Sequence, residues 1–152
     1  MTLHESMMQL ALEEARKAAN EEEVPVGAVI ARNGTVIATA HNQRESSNDP
    51  TAHAEILAIR KATEILGRRR LWDCSLYVTL EPCPMCAGAI VMACLGQCFF
   101  GAYDQRQGCA GSVLNIPHEP AFYHHPHCVG GILENDCAAL MDTFFSKKRT
   151  NP

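Results

Sequence analysis

The chain has 152 residues, 47% hydrophobic and 20% charged, which suits one globular domain with a single sizeable core. A formal net charge of -4 excludes a global basic field for nucleic acid, and no apolar run approaches the roughly 18 residues of a membrane span. The opening stretch MTLHESMMQLALEEARKAANEEE carries acids and lacks the basic start and apolar centre of a signal peptide, so a cytoplasmic location without a membrane partner is expected.

Leu3, Met7, Leu10, Ala11, Ala15 and Ala18 recur at helical spacing and predict an amphipathic first helix. The β-branched runs VPVGAVIA (24–31) and TVIATA (35–40) meet at Arg-Asn-Gly, a hairpin signal. A polar loop, HNQRESSNDP, leads to a helix with Ala54, Leu57, Ala58, Ala62 and Ile65 on one face. SLYVTL (75–80) reads as a buried strand, Pro84 to Leu95 as a helix opened by proline, and CFFGAY (98–103) as a further strand. Residues 104–127 are irregular, and CVGGI (128–132) makes at best a short strand. Cys137, Leu140, Met141, Phe144 and Phe145 mark a terminal helix, whose periodicity puts at least one of the two phenylalanines in the core. Alternating strands and helices predict an α/β fold with parallel pairing and helices on the sheet faces. With no repeat or linker, residues 1–152 form one domain.

Eight cysteines stand at 74, 83, 86, 94, 98, 109, 128 and 137. A reducing compartment leaves metal ligation or burial as their uses. Two stretches carry chemistry: TAHAEILAIR (51–60) and LEPCPMCAGA (80–89). His53 and Glu55 would lie about 200° apart around a helix, yet from its first turn both reach one cleft. Cys83 and Cys86, at a second helix start, place two sulfurs one turn apart where the positive helix end favours thiolates. One imidazole and two sulfurs are three ligands, and a fourth position left to water is the pattern of a catalytic zinc. Donor softness favours zinc over magnesium or calcium. Zinc lowers the pKa of water to about 7, and Glu55 is placed to take that proton and pass it to a ring nitrogen and a leaving amine. The chemistry is hydrolytic deamination. A structural zinc closed by Cys94 or Cys98 is the competing use of the cysteines, but it gives Glu55 no task.

The ordered set His-Ala-Glu, then Pro-Cys-Pro-Met-Cys, resembles the signature of the cytidine deaminase superfamily. Within it the chain is similar to the bacterial tRNA adenosine deaminase family in EVPVGAV, DPTAHAEI, LYVTLEPCPMCAGAI, FGAYD, GCAGS and GILENDCAAL. The resemblance implies a three-layer fold with a central mixed five-stranded sheet, one zinc per subunit and a homodimer. It further implies conversion of the wobble adenosine in the anticodon stem-loop of an arginine tRNA to inosine. His53, Cys83 and Cys86 match the family's zinc ligands, and Glu55 its proton shuttle. Asn42 and Val26 match positions around the extruded base, the backbone N–H of Ala54 an orienting donor, and Asp104 a position beside the nucleotide backbone. Phe144, Phe145, Lys148 and Arg149 fall where the family's terminal helix meets RNA. Asn42 could instead cap its polar loop, and Arg68 to Arg70 could be a solvated charge run. HHPHC (124–128) has the wrong spacing for a second metal site. A deaminase of guanine or of a free nucleoside would share the metal residues and need no basic terminal helix.

Overall fold

The computed structural model describes residues 1–150; positions 151 and 152, the end of the expected 1–152 domain, lie outside the described residues. The first helix, α1 (Leu3–Asn20), is opened by a capping box: Glu5 N–H donates to Thr2 Oγ1 at 3.1 Å, and Thr2 N–H to Glu5 Oε1 at 2.9 Å. Strands β1 (Gly27–Arg32) and β2 (Thr35–His41) form the hairpin, turning through Asn33 and Gly34 at φ 51° and 76°. A two-residue turn with both φ values positive matches the twist of its strands. Then follow α2 (Ala54–Leu66), β3 (Ser75–Leu80), α3 (Pro84–Met92), β4 (Gln97–Ala102), β5 (His127–Val129) and α4 (Glu134–Thr150). The sheet is mixed, in the order β2-β1-β3-β4-β5. Strand β1 runs antiparallel to β2 and β3, whereas β3, β4 and β5 are parallel.

Both sheet faces are buried, which explains the near-continuous apolar strands. Ala28 and Ile30 of β1, with Leu76, Val78 and Phe100, face α2 and α3 and meet Ala54, Ala58, Ala62 and Ile90. Val29, Ala31, Tyr77 and Phe99 face the other way and meet Met8, Leu12 and Cys137 of α1 and α4. Alternate residues of one strand therefore serve two cores, giving three layers. The structure ends α3 at Met92, short of the expected Leu95. Cys94 adopts a left-handed φ of 54°, which turns Leu95 back into the core, where it is fully buried. Among the described residues no helix is long and apolar enough to cross a membrane.

Candidate metal centre and active site

Helices α2 and α3 start beside the carboxyl end of β3, a sheet end where α/β folds commonly bind ligands. Their N-cap residues are His53 and Cys83, both extended, at φ -77° and -73°. An N-cap side chain ordinarily accepts a hydrogen bond from its own helix, and neither does so here. They turn towards each other instead. His53 Nδ1 lies 3.6 Å from Cys83 Sγ and 3.6 Å from Cys86 Sγ, and all three donor atoms lie within 4.8 Å of one another. Tetrahedral zinc, about 2.0–2.1 Å from nitrogen and about 2.3 Å from sulfur, spaces such atoms about 3.6 Å apart, so the cluster fits the ion. Among the described residues no fourth His, Cys, Asp or Glu joins the group.

The electrostatics favour a cation. The hydrogen bond from Cys86 holds the Cys83 thiol down at about 4, against the opposing effect of burial. Its contact with Cys83, reinforced by burial, pushes Cys86 the other way. One sulfur gives up its proton readily and the other keeps it, so metal uptake displaces a proton from the cluster. Glu55 sits beside the cluster at 4% exposure, and burial pushes its carboxyl up to about 7.

The cluster opens onto a cleft of about 730 Å³. Val26, Asn42 and Ala54 line one side, with His53, Glu55 and Cys83 at the metal end. Asp104 and Phe145 line the other side. Asn42 does not cap its own loop. Its Nδ2 donates to the Val24 carbonyl at 3.3 Å, and its buried Oδ1 has no partner. Asp104 partly spends its carboxylate on its own loop, accepting from Arg106 N–H at 3.0 Å and Gln107 N–H at 3.2 Å.

The terminal helix divides its predicted residues. Phe145 reaches the metal cleft, whereas Phe144 and Lys148 line a separate groove against the end of α1 and the loop at Glu45. Neither phenylalanine enters the core: Phe144 is half-buried and Phe145 is 39% exposed. Helix α4 buries Cys137 and half-buries Ala138, Leu140 and Met141, and the side chains beyond meet less of the body. The two rings pack edge-on at 5.4 Å, and the Lys148 ammonium lies 5.2 Å from the Phe144 ring. Arg149 is exposed and donates to Ser146 Oγ at 3.1 Å.

Arg68 is not simply solvated: it pairs with Asp73 and lies 5.6 Å over the Trp72 ring. His124 and His125 meet the Leu95 and Glu119 carbonyls at 2.7 and 2.9 Å, and no second metal cluster forms among the described residues. Arg44, Glu81 and Arg106 also line the cleft, and no motif in the sequence points to them. Burial would raise the Glu81 carboxyl, but the Ser112 hydroxyl and the N–H groups of Asp104, Ser112 and Ala110 outweigh it and hold it below the usual range. The signal in the sequence is an acid ending an apolar strand, directly before Pro82 and Cys83.

Residues 1–102 match the cytidine and deoxycytidylate deaminase zinc-binding region. A tRNA-specific adenosine deaminase of Bacillus subtilis is 46% identical over 149 residues, covering 98% of this chain and 92% of the relative. One of Agrobacterium fabrum is 45% identical over 142 residues, covering 93% of each. A solved structure from studies of A-to-I editing by tRNA:A34 deaminases superposes with a TM-score of 0.86 at 44% identity, covering 89% of this chain and 98% of that one. The cofactor is zinc, and His53, Cys83 and Cys86 are the donor set available to hold it. The chain belongs to the cytidine and deoxycytidylate deaminase family, among its tRNA-specific adenosine deaminases.

Proposed function

We propose that this chain hydrolyses the wobble adenosine of a tRNA anticodon loop, that of an arginine tRNA, to inosine. The observation that carries the reading is a buried Glu55 carboxyl beside, but outside, a three-donor cluster that opens on a cleft. Bound zinc supplies Lewis acidity that makes water a nucleophile near neutral pH. Glu55 takes the proton released by that water, gives it to the purine ring nitrogen, and assists ammonia as the carbon–nitrogen bond breaks. Burial, which pushes the Glu55 carboxyl above the usual carboxylate range, favours its holding the proton between the two transfers.

Asn42 lines the cleft with a buried, unpartnered Oδ1 available as an acceptor for a base N–H, Val26 packs against the base, and the Ala54 N–H at the helix start orients the reacting groups. A loop nucleotide is already partly unstacked, which lowers the cost of extruding it. Asp104 and Phe145 stand beside the entering nucleotide, while Phe144, Lys148 and Arg149 extend the contact to the stem. The exposed apolar side chains Trp72, Met92, Val113 and Leu114 support a homodimer, and the enzyme is assigned to the cytoplasm, where its substrate is. The test is incubation with an anticodon stem-loop bearing adenosine at the wobble position, alongside guanine, adenosine and cytidine. Inosine in the RNA supports the reading; turnover of guanine without RNA turnover rejects it.

A further inference from the structure

Glu81 is 2% exposed and stands between the end of β3 and the zinc-donor turn at Cys83. Its carboxylate is ringed by donors from the loop after β4. Oε1 accepts from Asp104 N–H at 3.0 Å and Ser112 Oγ at 2.6 Å. Oε2 accepts from Ala110 N–H at 3.0 Å and Ser112 N–H at 3.0 Å. Among the described residues no cation pairs with it, so the loop itself neutralises the buried charge. The chain wraps it closely. A Cβ on Gly108 would stand 2.4 Å from the Glu81 carboxyl carbon and 2.4 Å from the Asp104 carbonyl oxygen, so only glycine fits. Cys109 N–H donates to the Pro82 carbonyl at 2.8 Å, a second tie to the same turn.

The side chains this loop presents to the cleft are Asp104, Gln105, Arg106 and Gln107. One carboxylate thus joins the zinc-donor turn to the rim on which the substrate would lie. We propose that Glu81 is a positioning residue, holding residues 104–107 in register with the metal centre so that the polynucleotide on either side of the reacting base is bound in place. The proposal rests on the RNA-deaminase reading above. Its energetics are those of charge-assisted hydrogen bonds, and contacts to polynucleotide that shift with the rim are lost from the ground state and the transition state alike.

The test is steady-state kinetics on the anticodon stem-loop with wild type, Glu81→Gln, Ser112→Ala and Gly108→Ala. Each variant is checked for zinc content and melting temperature. Glutamine keeps the shape but sets an NH2 against N–H donors; Ser112→Ala removes the hydroxyl donor to Oε1; Gly108→Ala pushes the loop off the carboxylate. The expected result is a rise in KM of about tenfold or more with kcat within about threefold and zinc retained, the split that marks lost ground-state binding. The same split in Ser112→Ala or Gly108→Ala supports the proposal even where Glu81→Gln does not fold. A fall in kcat at unchanged KM, loss of zinc, or wild-type kinetics in folded variants overturns it. A wild-type protein inert on the stem-loop would instead defeat the underlying functional reading, so the two failures are distinct.

Discussion

Replacing Glu55 by glutamine isolates proton transfer from everything else in the site. The side chain is 4% exposed and lies outside the three-donor cluster, so the change conserves volume and leaves the zinc donors intact. Loss of a positioned acid–base group typically costs about 10²–10⁴ in rate, and a fall in kcat of at least about a hundredfold is expected with zinc content unchanged. The same change has a stability signature in the chelated protein. A carboxyl raised from 4.5 to about 7 by burial opposes folding at high pH by about 3 kcal/mol, at 1.36 kcal/mol for each tenfold in proton affinity. Because the folded value is the higher one, this cost is absent below 4.5, grows up to about 7 and is constant above. Glutamine does not carry it. The variant should therefore melt higher than wild type at pH 8, by about 2–4 °C per kcal/mol, and the gap should close towards pH 4.5. The assays are inosine formation on the stem-loop, metal analysis and thermal melts across pH. A zinc-loaded variant turning over within about tenfold of wild type would refute the shuttle. A melting difference independent of pH would refute the burial argument.

Asn42→Ala removes an acceptor with no protein partner, so kcat/KM should fall about 10–100-fold, the worth of about 1–3 kcal/mol, while loss of the Nδ2 bond to the Val24 carbonyl lowers the melting temperature by a few degrees at most. Unchanged kcat/KM would show that Oδ1 does not meet the base. Chelation should lower the melting temperature, since zinc at a thousand times its Kd contributes about 4 kcal/mol, and His53→Ala should melt the same with or without chelator. A chelator-sensitive His53→Ala protein would place the metal elsewhere. Glu23 is 1% exposed; burial would raise its carboxyl, but the Ser46 and Glu45 N–H groups hold it below 4.5. Its contribution is therefore present above 4.5 and lost as pH falls through the lower folded value, so wild type and Glu23→Gln should converge in urea melts on acidification. A gap that persists at low pH would contradict this. Lys148→Ala and Arg149→Ala should each flatten the dependence of log KM on log salt by about 0.7–0.9 for every phosphate no longer neutralised, and an unchanged slope would remove that residue from the RNA surface.

What could be read from the sequence was local. Asn33-Gly34 announced its turn, Pro84 its helix start, and the spacing of Cys83 and Cys86 the closeness of their sulfurs, because each signal and its structural consequence lie within one turn of chain. The readings that moved depended on distant packing. The short strand expected within CVGGI (128–132) lies at His127–Val129, because its bounds are set by parallel pairing with β4, about thirty residues earlier in sequence. Leu95 reads as helix by periodicity, but the turn at Cys94 sends it into the core. Phe144 and Phe145 followed a helical stripe that loses its partners after Met141. Glu81 carried no motif, and its contacts depend on Ser112, about thirty residues later, folding back over it.

The centre gains its reactivity by giving up ordinary stabilisation. Two helices begin with residues that do not cap them, a loss of about 1 kcal/mol for each cap that serine or aspartate would have supplied. In return, two positive helix ends converge on the place where the two sulfurs meet His53, and such ends favour the thiolate form. The flanking loops cannot be held from within the cleft without blocking it, and they are held from behind instead. Glu23 carries the loop bearing Arg44 through backbone N–H donors, and Glu81 the loop bearing Arg106 through backbone N–H donors and the Ser112 hydroxyl, neither with a cation in a salt bridge among the described residues. Held in this way, Arg44 and Arg106 both line the cleft, the basic side chains that it offers on a chain whose net charge is -4. Of the four acids that line the cleft with them, Glu81 spends its carboxylate on the loop after β4 and Asp104 spends one oxygen on its own loop, so backbone donors offset part of the negative charge beside the two arginines.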